Sequence, residues 1–126
     1  MTTMTTDATQ LVENSIAIWN ETDADTRKAL VAATWTEDAA YTDPLTAVEG
    51  RAGIDGLAAA VQAEFPGFIF RRLGEADTHH EFIRFQWEAG PAGAPPIIAG
   101  SDVAVIQDGR LRRVIGFLDL LPETPA

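Results

Sequence analysis

The sequence predicts an α+β domain in which helices cover one face of an antiparallel sheet. Two observations carry this. Apolar residues recur at spacings of three and four as far as Pro66, and alternate with polar ones at a period of two after it. The chain of 126 residues is also long enough to bury one real core and too short for two. A single domain over residues 1–126 is expected, with loose ends at 1–6 and 122–126.

Ala8, Leu11, Val12, Ile16 and Trp19 form the stripe of a first amphipathic helix, from about Asp7 to Asn20. Asp23 or Asp25 can cap a second helix. This one runs to about Trp35, with Leu30, Ala33 and Thr34 inward and Arg27 and Lys28 outward. The segment "AAYT" then reads as a short strand bounded by "DP". Proline pushes the residue before it towards extended geometry, so Tyr41 and Asp43 project from one face. Gly50 and Gly53 introduce a third helix, whose stripe of Ile54, Leu57, Ala58, Val61 and Phe65 ends at Pro66-Gly67.

No helix signal follows. "FIFRRL" is an apolar, aromatic strand, and "GEADTHH" supplies turn residues after it. In "HHEFIRFQWEA" Ile83, Phe85 and Trp87 share one face and Arg84, Gln86 and Glu88 the other, the pattern of a half-buried strand. If that strand starts early, His79 lies on the apolar face. "IIAGSDVAVI" and "RLRRVIGFLDLL" flank Asp108-Gly109, a tight hairpin signal.

Composition narrows the functional classes. Zero cysteines exclude a thiolate nucleophile, a disulfide framework and thiolate-bound zinc. The two histidines are adjacent, point to opposite strand faces and cannot share a metal, so neither a metal nor a cofactor is expected. Nineteen acidic against nine basic residues give a net charge of −10, which repels nucleic acid and anionic membranes. Arg71-Arg72 and Arg110, Arg112 and Arg113 read as solvated faces or ion-pair partners. No apolar run approaches the roughly 20 residues of a membrane span, and nothing marks the chain for export, so a cytoplasmic location is the expectation.

The order of these pieces carries a resemblance. "WTEDAAYTDP", "EGRAGIDGL", "FIRFQWEAG", "GSDVAVIQDGRL" and "VIGFLD" together resemble the SnoaL-like polyketide cyclase branch of the nuclear transport factor 2-like superfamily, over nearly the whole chain. The resemblance implies a strongly curved sheet forming a cone-shaped barrel around an internal apolar pocket. It also implies a homodimer formed through the sheet, whose outer face would mix Val103 and Val105 with arginines. Relatives of this kind include cyclases, ketosteroid isomerases, epoxide hydrolases and non-catalytic binding proteins, so the fold alone decides no activity.

Candidate chemistry falls on Asp102, Tyr41, His79 and Asp119, with Asp43 a candidate pocket residue beside them. Asp102 lies mid-strand among apolar neighbours, where desolvation raises a carboxylate's pKa and suits it to act as a general base. It also matches the aspartate that the resembling cyclases use as acid–base catalyst. The competing reading pairs it with Arg112 or Arg113 across the hairpin. Tyr41 is placed to donate to a developing enolate oxygen, or else simply packs in the core. Asp43 either joins it at the pocket or serves as an Asx-type turn residue before Pro44. His79 is a possible proton shuttle, and Asp119, sharing a face with Phe117, a second buried carboxylate. Trp19, Trp35, Phe65, Phe85, Trp87 and Phe117 can line the pocket or fill the core.

Family motifs sharpen the expectation. The cyclases carry a histidine where this chain has "EAGPAGAPP", and the epoxide hydrolases an arginine where it has Gly100. The expected function is therefore a cofactor-free acid–base catalyst, cyclase- or isomerase-like, acting on a small hydrophobic carbonyl compound. The alternative is a non-catalytic domain for hydrophobic-ligand binding or dimerisation, with epoxide hydrolysis a minor one.

Overall fold

A computed structural model describes residues 3–121. The elements run α1 (Thr3–Asn20), α2 (Ala24–Thr34), β1 (Trp35–Asp43), β2 (Thr46–Glu49), α3 (Gly50–Glu64), β3 (Phe68–His79), β4 (Phe82–Pro91), β5 (Ile98–Gln107) and β6 (Arg110–Leu120). Three helices pack on a curved six-stranded sheet of order β2-β1-β6-β5-β4-β3. Helix α1 starts at Thr3, inside the stretch expected to be loose; residues 1–2 and the expected loose tail 122–126 lie outside the described residues.

The change of period at Pro66 is where helix gives way to meander. Strands β3 to β6 alternate in direction, and the last hairpin turns through Asp108-Gly109, both at positive φ. The sheet is nevertheless mixed and not closed into a barrel. The meander that α3 sets down at the far edge returns β6 alongside β1 in the same direction, pairing Tyr41 with Val114 and Thr42 with Ile115. Strand direction depends on how a connection crosses the sheet, and side-chain periodicity carries no trace of it.

Two strand boundaries also differ from expectation. "GEADT" continues β3 through a register shift between Leu73 and Asp77, with Gly74 at φ 62°. The tight turn falls at His80, φ 52°, and β4 begins at Phe82. Trp35 opens β1 instead of closing α2, and the four-residue β2 pairs with β1 beyond the "DP" turn.

The core fills the space between helices and sheet. Val12, Ile18, Val31, Trp35, Ile54, Ile83, Leu111 and Val114 are almost wholly buried. Each such side chain contributes about 1.5–3 kcal/mol of burial. Asp23 caps α2 by accepting from the Thr26 backbone N–H at 2.9 Å. Arg27, expected outside, is buried: its Nε donates to Asp55 Oδ1 at 2.8 Å and its Nη1 to the Glu21 carbonyl at 3.1 Å. A guanidinium with that many acceptors can be interred between helices, and it ties α2 to α3. Ala33, expected inward, points to solvent, and Val31, not among the expected inward residues, is buried in the core.

Candidate active site

An apolar cavity of about 110 Å³ opens between the sheet and helices α1 and α3. Inward-facing positions on four adjacent strands build its polar end. On β4, Trp87 faces Gly100 of β5. Asp102 of β5 faces Gly116 of β6. Beyond Gly116, the parallel β1 contributes Tyr41 and Asp43.

The two glycines make this row possible. A Cβ on Gly100 would lie 2.6 Å from Trp87 Cε2, so the indole can lie flat on the sheet only because position 100 has no side chain. A Cβ on Gly116 would come within 2.9 Å of Asp102 Oδ1 and 3.3 Å of the Tyr41 hydroxyl. Missing side chains in mid-strand signal close approach, and sequence reasoning passed over both glycines as site residues.

Asp102 is 5% exposed and receives one hydrogen bond, from Trp87 Nε1 to Oδ1 at 3.1 Å. Its Oδ2 has no protein partner among the described residues. No arginine pairs with it: Arg113 lies opposite Val105 on the outer face. Burial pushes its carboxyl from 3.8 up to about 7, the Trp87 N–H opposes this, and the negative charges of Asp43 and Asp119 add to it.

Asp43 is held in the opposite way. Its Oδ1 accepts from the backbone N–H groups of Leu45 (2.8 Å) and Thr46 (3.0 Å), the Asx-type turn, and its Oδ2 accepts from the Tyr41 hydroxyl at 2.8 Å. Three donors suit a charged carboxylate. Tyr41 therefore lies at the cavity, as expected, but its single proton is committed to Asp43 and not free for an enolate. Burial, the charge of Asp102 and the bond to Asp43 together hold its phenol well above the ordinary range.

The remaining walls are apolar: Trp19, Phe65, Phe70, Leu57, Val61, Ile98 and Leu118, with Leu45 and Leu121 at the mouth. Trp19 packs edge-on against Tyr41 at 5.7 Å between centroids, and Phe70 lies 5.5 Å from Trp87. Trp19, Phe65 and Trp87 thus take their expected places. Trp35 and Phe85 do not reach the cavity; both are buried core. Phe70, Ile98 and Leu118 went unnoticed because an inward aromatic or aliphatic residue reads the same in a core as in a cavity wall.

Three expected residues sit elsewhere. His79 ends β3, exposed and edge-on to His80, because its strand is β3 and its parity is not that of Ile83. Phe117 is 57% exposed and Asp119 is exposed too, its Oδ2 accepting from Ser101 Oγ at 2.6 Å. On β6 the inward set is Val114, Gly116 and Leu118, so Phe117 and Asp119 face out. The period was right and the choice of phase was not.

Residues 12–114 match the family model of the SnoaL-like domain. Among solved structures, a protein from Agrobacterium tumefaciens, proposed to be an isomerase of the SnoaL-like family, superposes with a TM-score of 0.86 at 36% identity, covering 90% of this chain and 98% of that one. A proposed ketosteroid isomerase from Kribbella flavida gives 0.70 at 19% identity, over 97% and 84%. A proposed polyketide cyclase from Sinorhizobium meliloti gives 0.68 at 17%, over 85% and 93%. The last two establish likeness of fold alone. No curated protein matches the chain.

Proposed function

Because the chain belongs to the SnoaL-like domain family, we propose that it is a cofactor-free proton-transfer catalyst of the isomerase type, acting on a small hydrophobic carbonyl compound. One observation carries this reading: Asp102 is a buried carboxylate with no cation beside it and one oxygen open to an apolar cavity. Such a group accepts a proton from a carbon acid near neutral pH. The carbon next to the carbonyl gives its proton to Asp102, the C–H electron pair becomes the enolate double bond, and the same carboxyl returns the proton to a different carbon.

The isomerase form is favoured over cyclisation by the hydrogen-bond inventory. A shuttle of one proton by one carboxyl needs no second titrating group, and Asp43, held by three donors, is not free to be one. The isomerase assignment of the Agrobacterium protein supports the same choice. Epoxide hydrolysis lacks support, because no arginine lines the cavity among the described residues. The non-catalytic alternative keeps the cavity and drops the proton transfer.

Conversion of cyclohex-3-enone to its conjugated isomer in deuterated water, followed by NMR, tests the proposal. Wild type is expected to accelerate it and Asp102→Asn to lose about 10²–10⁴-fold, the usual contribution of a general base. Equal rates with both proteins at pH 8 would leave only the ligand-binding reading.

A further inference from the structure

The cavity's polar groups are mismatched to a neutral carbonyl. The Tyr41 proton goes to Asp43 and the Trp87 N–H to Asp102. Of the other lining residues only Trp19 brings a side-chain donor, a single indole N–H, and no lysine, arginine or histidine reaches the cavity among the described residues. A ketone that loses its α-proton here would develop an enolate oxygen facing two carboxylates, with at most one neutral indole N–H to set against them.

The same walls suit a cation. Trp19, Tyr41, Phe70 and Trp87 form a continuous set of rings, with centroids 5.7 Å apart for Trp19 and Tyr41, 6.1 Å for Trp19 and Phe70, and 5.5 Å for Phe70 and Trp87. Faces of this kind attract a positive charge held within about 6 Å. At their polar end stands Asp102, buried and without a counter-cation, and the chain as a whole carries −10.

We propose that the carbonyl-type compound this pocket selects is an iminium ion, the positively charged nitrogen counterpart of a ketone, on a compact hydrophobic frame. The inference rests on Asp102 as the proton carrier. It needs no donor for a developing oxyanion, because the iminium is its own electron sink. Asp102 takes the proton from the carbon beside C=N⁺, the C–H pair forms a C=C bond, and the C=N π pair returns to nitrogen. A carboxylate and a cation become a neutral acid and a neutral enamine. Return of the proton to a different carbon of a conjugated enamine regenerates an isomerised iminium, with no other reactant consumed.

Binding and chemistry are tested by separate probes. Benzyltrimethylammonium and its uncharged isostere neopentylbenzene have the same shape and differ in charge alone. Near pH 8.5, above the value of about 7 for Asp102, the cation is expected to bind at least about tenfold more tightly than the isostere. Near pH 5.5 that preference should shrink several-fold as Asp102 takes up its proton. The groups that face Asp102 are Trp87 from β4 and Asp43 and Tyr41 from β1, while Asp119, on the outer face of β6, acts on it through charge alone. The aromatic faces do not titrate, so some cation preference should persist in acid. At pH 7 the cation, unlike the isostere, should also displace a fraction of a proton, read by calorimetry in two buffers of different ionisation enthalpy. An isostere that binds as well as the cation at pH 8.5, or cation binding indifferent to pH, overturns the proposal.

Deuterium exchange then separates it from the broader reading. Acceleration over background should be greater for 1,2-dimethyl-1-pyrrolinium than for cyclopentanone. If the ketone is turned over through Asp102 and the cation is not preferred, the isomerase reading stands and the iminium inference fails. If the cation is preferred and neither compound exchanges, the ligand class survives and the catalytic reading falls.

Discussion

Asp102 stands directly opposite Gly116, and the space a Cβ would take at position 116 lies 2.9 Å from its Oδ1. The carboxylate therefore occupies room that a neighbouring strand has vacated. Gly116→Ala should push it off that place while the backbone, which is not at positive φ there, accepts alanine. Overpacking of this kind costs about 1–3 kcal/mol, partly offset by the lower entropy of the unfolded alanine chain. Thermal unfolding should fall by only a few degrees while proton transfer drops at least about tenfold. Full activity in a folded Gly116→Ala protein would show that the packing around Asp102 is incidental.

Raising a carboxylate's pKa on folding has a definite sign in stability. Between 3.8 and about 7 the folded protein keeps the Asp102 proton that the unfolded chain has lost, so this group's contribution falls as pH rises through that window and levels off above it. At 1.36 kcal/mol per unit the loss is on the order of 2–4 kcal/mol. Asp102→Asn cannot ionise and escapes it. In urea titrations the variant should be more stable than wild type at pH 8, with the advantage fading towards pH 4. An advantage that grows in acid would mean that Asp102 is charge-stabilised, which its surroundings contradict.

Tyr41 and Asp43 support a more discriminating test. An oxyanion-hole donor costs about 10²–10³-fold when removed. Because the Tyr41 proton already goes to Asp43 at 2.8 Å, Tyr41→Phe should lower turnover of a cationic substrate by less than about tenfold. Its main effect should be on the β1–β2 turn, where Asp43 loses one of three donors. A loss of 10² or more with the fold intact would restore the tyrosine to the role of donor.

How far the sequence reveals this site depends on which physical signal each residue carries. Helices and strands are legible because burial imposes a period, and Asp102 stands out as a carboxylate amid Val103, Ala104 and Ile98, although the sequence leaves open its pairing with Arg112 or Arg113. Phase was less secure. A strand with apolar residues at Val114, Ile115, Phe117 and Leu118 offers two inward sets, and the larger aromatic drew the choice to Phe117 when Gly116 and Leu118 hold the inner face. His79 was misplaced for a related reason: its parity counts from β3, and the turn at His80 breaks the count. The parallel seam between β1 and β6, which brings Tyr41 and Asp43 to Asp102, is a long-range pairing. No local pattern encodes it.

The phase of β6 also determines what the outer face of the sheet presents. Ile69 and Leu73 on β3, Val103 and Val105 on β5, and Ile115 and Phe117 on β6 all point away from the helices, Phe117 at 57% exposure. Arginines lie among them: Arg71 bonds to Glu88 across β3 and β4, Arg84 to Asp77. A mixed apolar and charged face on a curved sheet suits a second copy of the chain, and a stable pair would cover about 800 Å² on each partner. Sedimentation at micromolar concentration is expected to find twice the 13.6 kDa chain mass. Phe117→Glu sets a charge at the centre of that face without touching the cavity, and should yield a folded monomer whose cation binding is unchanged. Wild type sedimenting at 13.6 kDa would remove the dimer, and a dimer indifferent to Phe117→Glu would move the contact to another surface.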